Sequence, residues 1–399
     1  MELSLTEEEE RFAERARTWL MDNLAGRFAH LAGKGGSQND EFHDDRRAWE
    51  KALFEAGWQG LGWPEEFGGS PATLNERIVF EYEYAKAGAP HRVGVHGMTL
   101  IGPTLLAHGT EKQRARFLPP ILSCEEEWCQ GFSEPGAGSD LASLRTRATL
   151  VDDEWVINGQ KIWTSGAHHA DWMYILCRTD PDASKHRGIT MLLLPMDQPG
   201  IEIRPIKNMA GGSHFNEVFF TDARTSKDMV VGALNDGWNV AMTTLQSERG
   251  VATLNYQMAF QSEFDNIVEL ARQNAKDRDP LLRQKLADTA IGLQVMQLNT
   301  FRMLSQLMRT GTLGAETSLL KLYWPDLHKS MGELAMEIAG PAAQLVGEDY
   351  NLSQFQRSWL LSRAESIYGG SHQIHLNIIS ERLLGMPREP KVATTAGRS

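Results

Sequence analysis

The 399-residue chain is short of cysteine, of basic charge and of long apolar runs. Cys124, Cys129 and Cys177 make an odd number with no metal-ligand repeat, which argues against a disulfide framework and suits buried free thiols in a reducing compartment. Lys and Arg number 40 against 52 Asp and Glu, a formal charge of -12, with the cations spread among acids. That balance argues against a nucleic-acid surface, which needs clustered cations to neutralise phosphates. It also means that any phosphate group must be held by local residues. No apolar run approaches the ~18 residues of a membrane span. The N-terminus, Met1-Glu-Leu-Ser-Leu-Thr-Glu-Glu-Glu-Glu10, is acidic and amphipathic and has neither the basic nor the apolar region of a secretion signal. The expectation is a soluble, cytoplasmic protein without a membrane span or a nucleic-acid partner. Internal repeats and low-complexity segments are also missing.

What is present is 41% apolar residues, enough to build a sizeable core in two or three domains. From Thr6 to about Leu122 apolar residues recur at three and four, as in Phe12, Ala16, Leu20 and in Ile78, Tyr82, Ala85, which is helical spacing. Between about Trp128 and Asp236 the texture changes to short runs, among them Glu154–Asn158, Trp172–Cys177, Thr190–Leu194 and Val218–Phe220, separated by Asp-Asp, Asn-Gly and Pro-Gly turn signals. From Gly237 the helical period returns, with long segments over 238–273, 281–310 and 314–348. The expected fold is α+β, multidomain and mainly α. Its domains are an N-terminal helical domain over 1–125, a central β domain over 126–236, a C-terminal helical bundle over 237–387 and a disordered tail over 388–399.

Two segments carry chemistry. Cys129-Gln-Gly-Phe-Ser-Glu-Pro-Gly-Ala-Gly-Ser-Asp-Leu-Ala-Ser143 packs glycines and a proline among hydroxyls, so its backbone N–H groups can approach a polar or anionic ligand closely. Lys161-Ile-Trp-Thr-Ser-Gly166 offers a flat indole beside two hydroxyls. A planar, polar cofactor ring needs that pairing of an apolar face with small donors, and the two segments together read as a flavin pocket.

A third segment, Ile367-Tyr-Gly-Gly-Ser-His-Gln-Ile374 running into Leu376-Asn-Ile-Ile-Ser-Glu-Arg-Leu-Leu-Gly385, completes a pattern that resembles the acyl-CoA dehydrogenase family. Leu61-Gly-Trp-Pro-Glu-Glu-Phe-Gly-Gly69 and Gly102-Pro-Thr-Leu-Leu-Ala-His-Gly109 extend the resemblance over nearly the whole chain. The resemblance implies a helical domain, a β-barrel-like domain and a C-terminal four-helix bundle through which the family mostly assembles as tetramers. It also implies FAD as cofactor, an acyl-CoA substrate, a trans-2-enoyl-CoA product and an electron-transferring flavoprotein as electron acceptor. By the same motif match, Gln130, Phe132 and Ser133 lie along the isoalloxazine ring and Ser139 lies near the pyrophosphate or the thioester arm. Trp163 and Thr164 pack on the ring, Ser165 reaches N5, and Ser371 and Gln373 approach the flavin from the C-terminal domain. Leu245 and Arg249 join Ser139 as candidate substrate contacts.

The general base needs separate argument. The family's commonest place for its catalytic Glu is directly after the Tyr of the C-terminal motif, and here that position is Gly369. On the helix after Gly237, Trp238, Met242, Leu245, Val251, Leu254 and Met258 form a three-four stripe whose missing step is Glu248. A Glu in a buried stripe is paired, protonated or functional, and desolvation raises its pKa toward the range useful to a base. A buried ion pair with Arg249 is the plainer alternative. Ser247-Glu-Arg-Gly250 matches a minority branch of the family, including isovaleryl, long-chain and some steroid side-chain enzymes, that places its Glu here. Glu248 is therefore the candidate base, and the backbone N–H of Gly369 the candidate donor to the thioester carbonyl. A glycine at 369 leaves space beside the reacting carbons, which points to a branched, cyclic or otherwise bulky acyl group.

The family's Arg-x-x-Phe-Gly element, which grips the adenine end of FAD on a neighbouring subunit, is replaced by Gln273-Asn-Ala-Lys-Asp-Arg-Asp-Pro280, and its Gln-x-x-Gly-Gly element is altered near Ile338-Ala-Gly-Pro-Ala-Ala343. Lys276, Arg278 or Arg283 could substitute, or could be a solvated face. The expected assembly is a homotetramer, with a hetero-oligomer needing a partner chain as the alternative and an oxidase or monooxygenase of the same fold as another. His168-His169 has no second ligand pair at metal-binding spacing and reads as turn residues near the flavin, so no metal is expected. With this charge balance the eleven tryptophans read as core packing.

Overall fold

Thr6, Thr73, Thr110 and Ser353 each stand three residues before a Glu or Gln, and each begins a helix with a reciprocal capping box. The computed structural model describes residues 5–34, 40–247, 252–311 and 313–388. They fall into two compact units that divide between Ala259 and Phe260.

The first unit opens with α1 (Glu7–Ala25), α2 (His43–Glu55) and α3 (Leu74–Lys86), which bury Phe12, Ala16, Leu20, Trp49, Leu53 and Phe80 among themselves. A wide π-type turn over His96–Ile101 leads into α4 (Gly102–His108), followed by α5 (Glu111–Leu122). Gly102-Pro103, which reads in sequence as a break between segments, instead starts α4, because a proline in the first helical turn gives up no hydrogen bond.

Eight strands then form one sheet: β1 (Trp128–Gly131), β2 (Arg147–Val151), β3 (Glu154–Ser165), β4 (Trp172–Arg178), β5 (Ile189–Pro195), β6 (Ile201–Ile206), β7 (Phe215–Ser226) and β8 (Val230–Val231). Their order is β6-β7-β3-β2-β4-β5-β8, with β1 added in parallel on β4. The period of two is clear in β4 and β5. Tyr174, Leu176, Met191 and Leu193 pack with Leu105, Phe117 and Leu118 of α4 and α5, while Met173, Ile175, Leu192 and Leu194 pack with Val218 and Phe220 on the other face. Burial of both faces explains why these strands read as unbroken apolar runs. The unit closes with α6 (Gly237–Ser247), whose Val240 and Ala241 are buried in the first of those cores.

The second unit contains most of α7 (Ala252–Gln273), then α8 (Pro280–Thr310), α9 (Thr317–Ala339), α10 (Gln354–Ser362) and α11 (His372–Ile378). Helix α9 packs against α8, α10 and α11 and buries Trp324, Met331, Leu334 and Ile338. Helices α6 and α7 fall within the helical segment expected over 238–273, and residues 248–251 between them lie outside the described residues. One expectation needs correction: the helix expected over 314–348 ends at Ala339. Gly340 takes a φ of 61°, and Pro341 cannot continue the ladder. The three cysteines are buried free thiols, and burial pushes the Cys177 thiol up to about 12.

Candidate active site

Lys161 is the residue on which the flavin-type segments converge. It lies on β3, fully buried, and its Nζ donates to the Phe132 carbonyl at 3.0 Å and to Glu134 Oε1 at 2.9 Å. The Glu134 carboxylate also accepts from the backbone N–H groups of Arg145 at 2.7 Å and Thr146 at 2.8 Å. Burial raises the cost of its charge, but Lys161 and these donors outweigh it and hold the carboxyl below its usual range. Burial in turn lowers the Lys161 ammonium, with Glu134 opposing. One backbone bond, Ile162 N–H to Ser133 carbonyl at 3.0 Å, completes the junction. Phe132-Ser133 and Trp163-Thr164-Ser165, separated in sequence by a whole hairpin, are thus held side by side.

The local backbone of β3 then presents the indole. The β3–β7 register slips between Lys161 and Thr164, and Trp163 sits at φ 61°. A bulge of this kind re-aims a side chain. Trp163 is accordingly 57% exposed, unlike the core tryptophans, and meets Phe215 edge to face at 6.0 Å. Thr164 is buried, and its Oγ1 has no hydrogen-bond partner among the described residues. An exposed flat ring beside an unsatisfied buried hydroxyl fits a planar heterocycle with polar edge atoms.

Gln130 is half-buried on β1, Ser133 and Ser165 are half-buried, and Ser139 is exposed in the glycine-rich turn. A Cβ placed on Gly136 or Gly138 would meet nothing within 4 Å, so the backbone there is open to approach. A cleft of about 360 Å³ lies beside this turn, lined by Gly136, Ser143, Arg145, Thr146 and Gln160 among others. Leu245 is half-buried on α6 and packs on the core with Trp238 and Met242, so the first half of the stripe is real. Glu248, Arg249 and Val251, with the side chain of Leu254, lie outside the described residues.

In the second unit Gly369 and Gly370 have φ of 61° and 92°, a left-handed pair that favours glycine. The buried His375 Nε2 lies 3.2 Å from the Gly369 carbonyl, and a Cβ on Gly370 would come within 2.7 Å of that nitrogen. Ser371 has a structural task that the motif did not suggest. Its hydroxyl caps α11, accepting from Ile374 N–H at 3.4 Å. Gln373 is exposed on that helix. Lys276, Arg278 and Arg283 are exposed around the α7–α8 turn, where Arg283 donates to the Asp277 carbonyl.

Sequence reasoning missed His96 and Tyr174. The His96 Nδ1 lies 3.2 Å from the Tyr174 hydroxyl, and Tyr174 meets Phe132 edge to face at 5.7 Å. Burial, with His214 adding to it, lowers His96 to about 4. Neither residue belongs to a motif, and an aromatic inside an apolar strand carries no signal of its neighbours.

The comparisons with known proteins agree with this geometry. Three family models match: acyl-CoA dehydrogenase N-terminal domain over residues 6–125, middle domain over 129–223 and C-terminal domain over 235–384. The chain belongs to the acyl-CoA dehydrogenase family. It is an oxidoreductase of the flavoprotein class, with the helical, sheet and helical domains of that family. Acyl-CoA dehydrogenase IpdE1 of Mycobacterium tuberculosis is 48% identical over 383 residues, covering 96% of this chain and 99% of that protein. Among solved structures, the Tcur3481-Tcur3483 steroid ACAD superposes with a TM-score of 0.84 at 32% identity, covering 98% of this chain and 100% of the other. The ChsE4-ChsE5 complex from Mycobacterium tuberculosis gives a TM-score of 0.79 at 28% identity, covering 98% and 100%. No helix among the described residues is long and apolar enough to cross a membrane.

Proposed function

We propose that the chain catalyses FAD-dependent α,β-dehydrogenation of an acyl-CoA thioester with a bulky, steroid-like acyl group. The observation that carries the proposal is the Lys161 junction, which sets Phe132-Ser133 against Trp163-Thr164-Ser165 and leaves an exposed indole beside an unsatisfied hydroxyl. FAD, when bound, supplies the hydride acceptor for the β-carbon. Gln130, Phe132, Ser133, Trp163 and Thr164 would hold its ring, Ser165 would serve the N5 edge, Ser139 would hold the pyrophosphate or the thioester arm, and Ser371 and Gln373 would contribute from the C-terminal domain. Glu248 removes the α-proton, and the Gly369 N–H stabilises the charge that develops on the thioester carbonyl. Loss of that proton and the β-hydride leaves a trans-2-enoyl-CoA. Leu245 and Arg249 contact the acyl-CoA, and the electrons pass on to an electron-transferring flavoprotein.

The glycine at 369 removes a side chain from beside the reacting carbons, and a steroid ACAD is among the similar solved structures. Both favour the bulky acyl group. The test is the visible spectrum of the purified protein under anaerobic addition of acyl-CoA thioesters. Steroid-type or branched thioesters should bleach the flavin, and Glu248→Gln should keep the flavin spectrum while losing turnover at least a thousandfold. Normal turnover in that variant would sink the base assignment, and the highest kcat/KM on short straight chains would sink the substrate class.

A hetero-oligomer is favoured over a homotetramer on one observation. The segment that grips adenine in the family is here a capped turn between α7 and α8, with Asp279 capping α8 and without the family's Arg-x-x-Phe-Gly residues. One similar solved structure is itself a complex of two named proteins. A protein that purifies colourless and takes up flavin only with a second related chain would establish it; stoichiometric flavin in the chain alone would refute it.

A further inference from the structure

The turn after β3 places His168 and His169 beside Asp40, from the segment that enters α2, so that one ligand atom from each lies within 4.8 Å of the others. The carboxylate and the first imidazole are both fixed from behind. Asn216 is fully buried on β7, and its Nδ2 donates to the carbonyls of Thr164 at 3.0 Å and His214 at 3.1 Å. Both ends of the Asn216 amide face His168 Nδ1, Oδ1 at 3.2 Å and Nδ2 at 3.0 Å, so the ring nitrogen can donate to Oδ1 or accept from Nδ2. When Nδ1 donates to Oδ1, the neutral ring turns the lone pair of Nε2 toward Asp40 Oδ2. Asp40 is anchored in the same way, its Oδ1 accepting from His214 Nδ1 at 2.8 Å, which leaves Oδ2 for another partner.

In that tautomer two lone-pair atoms face each other across 3.4 Å. That separation is long for a charge-assisted hydrogen bond, which runs to about 2.7–2.9 Å. It matches the ~3.3–3.5 Å edge of a tetrahedron built on zinc bonds of about 2.0–2.1 Å. Ligating histidines characteristically donate their other ring nitrogen to a carbonyl-type acceptor, and Asn216 Oδ1 stands 3.2 Å from His168 Nδ1 to take that role. His169 is half-buried, and its ring is steadied by stacking on His43 at 3.7 Å.

We infer that Asp40, His168 and His169 form a binding site for a divalent d-block cation of the zinc class, with water in the fourth position. The ion ties the segment before α2 to the turn that follows Trp163-Thr164-Ser165, so its role is to brace the region around the exposed indole. It takes no part in the hydride chemistry. The competing account is a proton on His168 Nε2, which would make the pair an ordinary ion pair.

The experiment uses the untagged full-length protein, stripped with a chelator and titrated with Zn²⁺ by calorimetry, alongside Asp40→Asn, His169→Ala and His186→Ala. Expected are one Zn²⁺ per chain for the wild type and for His186→Ala, and at least tenfold weaker binding in the other two. Zinc should also raise Tm in the wild type and not in those variants. Asn at 40 can still accept from His214, and a variant whose zinc-free Tm matches the wild type reports on ligation alone. The absence of saturable binding, or binding unchanged in Asp40→Asn and His169→Ala, overturns the site in favour of the ion pair.

Discussion

His328 on α9 sits between two carboxylates inside the second unit, and its protonation should be visible as a pH-dependent share of stability. Its Nδ1 lies 2.7 Å from Glu365 Oε2 and its Nε2 3.0 Å from Glu263 Oε2, with Ser358 at 3.2 Å and Phe260 stacked on the ring at 4.2 Å. Burial opposes protonation, but the hydrogen bonds the ring donates to Glu263 and Glu365 outweigh it and raise the ring from 6.5 to about 9. At ~1.4 kcal/mol per pH unit the shift is worth about 3 kcal/mol. Because the folded pKa lies above the unfolded one, this share is fully present below about pH 6.5 and is lost as pH rises through about 9. Thermal melts of the wild type and His328→Gln from pH 6 to 9.5 isolate it, since the other titrating groups cancel in the difference. The variant should melt roughly 10 °C lower at pH 6, with most of the gap closed above pH 9. A gap of constant size across that range would refute the argument, because it would mean that a neutral ring packs and bonds there without carrying charge.

Two further outcomes follow from close contacts elsewhere. Lys161→Met leaves the buried Glu134 carboxylate without its cation and the Phe132 carbonyl without its donor, which should cost about 3–5 kcal/mol; chemical denaturation with flavin content measured after gel filtration checks it, and full flavin retention at unchanged stability would contradict the junction's role. Gly370→Ala should destabilise by roughly 2–3 kcal/mol, from the left-handed φ and the clash with His375 together. Gly385→Ala provides the comparison, having φ 65° and open space around its Cβ, and should cost only about 1 kcal/mol; equal losses would show that the His375 contact is immaterial.

Helices and strands were legible where local chemistry decides them. The Thr and Ser caps announce their helices, and the runs in β4 and β5 announce strands. Boundaries set by backbone conformation were less so: α9 ends at Gly340 with Pro341 behind it, although the apolar period runs on into Leu345. The ring-side motif was legible because it is contiguous, and the structure adds what makes it rigid. Glu134 and Lys161 were both inside the quoted segments, yet nothing in their spacing says that one neutralises the other, since the pairing arises only when β3 folds back on the turn.

Buried charge is the harder lesson. The sequence argument treated a Glu in an apolar stripe as a signal of function and found Glu248. Glu50 has the same appearance, standing between Trp49 and Leu53 on α2, fully buried and with burial raising its pKa. Its carboxylate is satisfied by the Gly94 N–H at 2.9 Å and by Gln59 at 3.1 Å, and it fixes the chain that leads into the turn at His96. Glu365 is likewise buried, paired with His328, and its carbonyl accepts from Lys321 at 2.7 Å a few residues before Gly369. Stripe position therefore separates a solvated carboxylate from a buried one, but it does not separate a base from a brace. What singles out Glu248 as the proposed base is the resemblance of Ser247-Glu-Arg-Gly250 to the family branch that places its Glu there. Among the buried carboxylates with known partners, Glu50, Glu134 and Glu365 each accept from donors on another segment, which is the signature of a group that holds backbone in place.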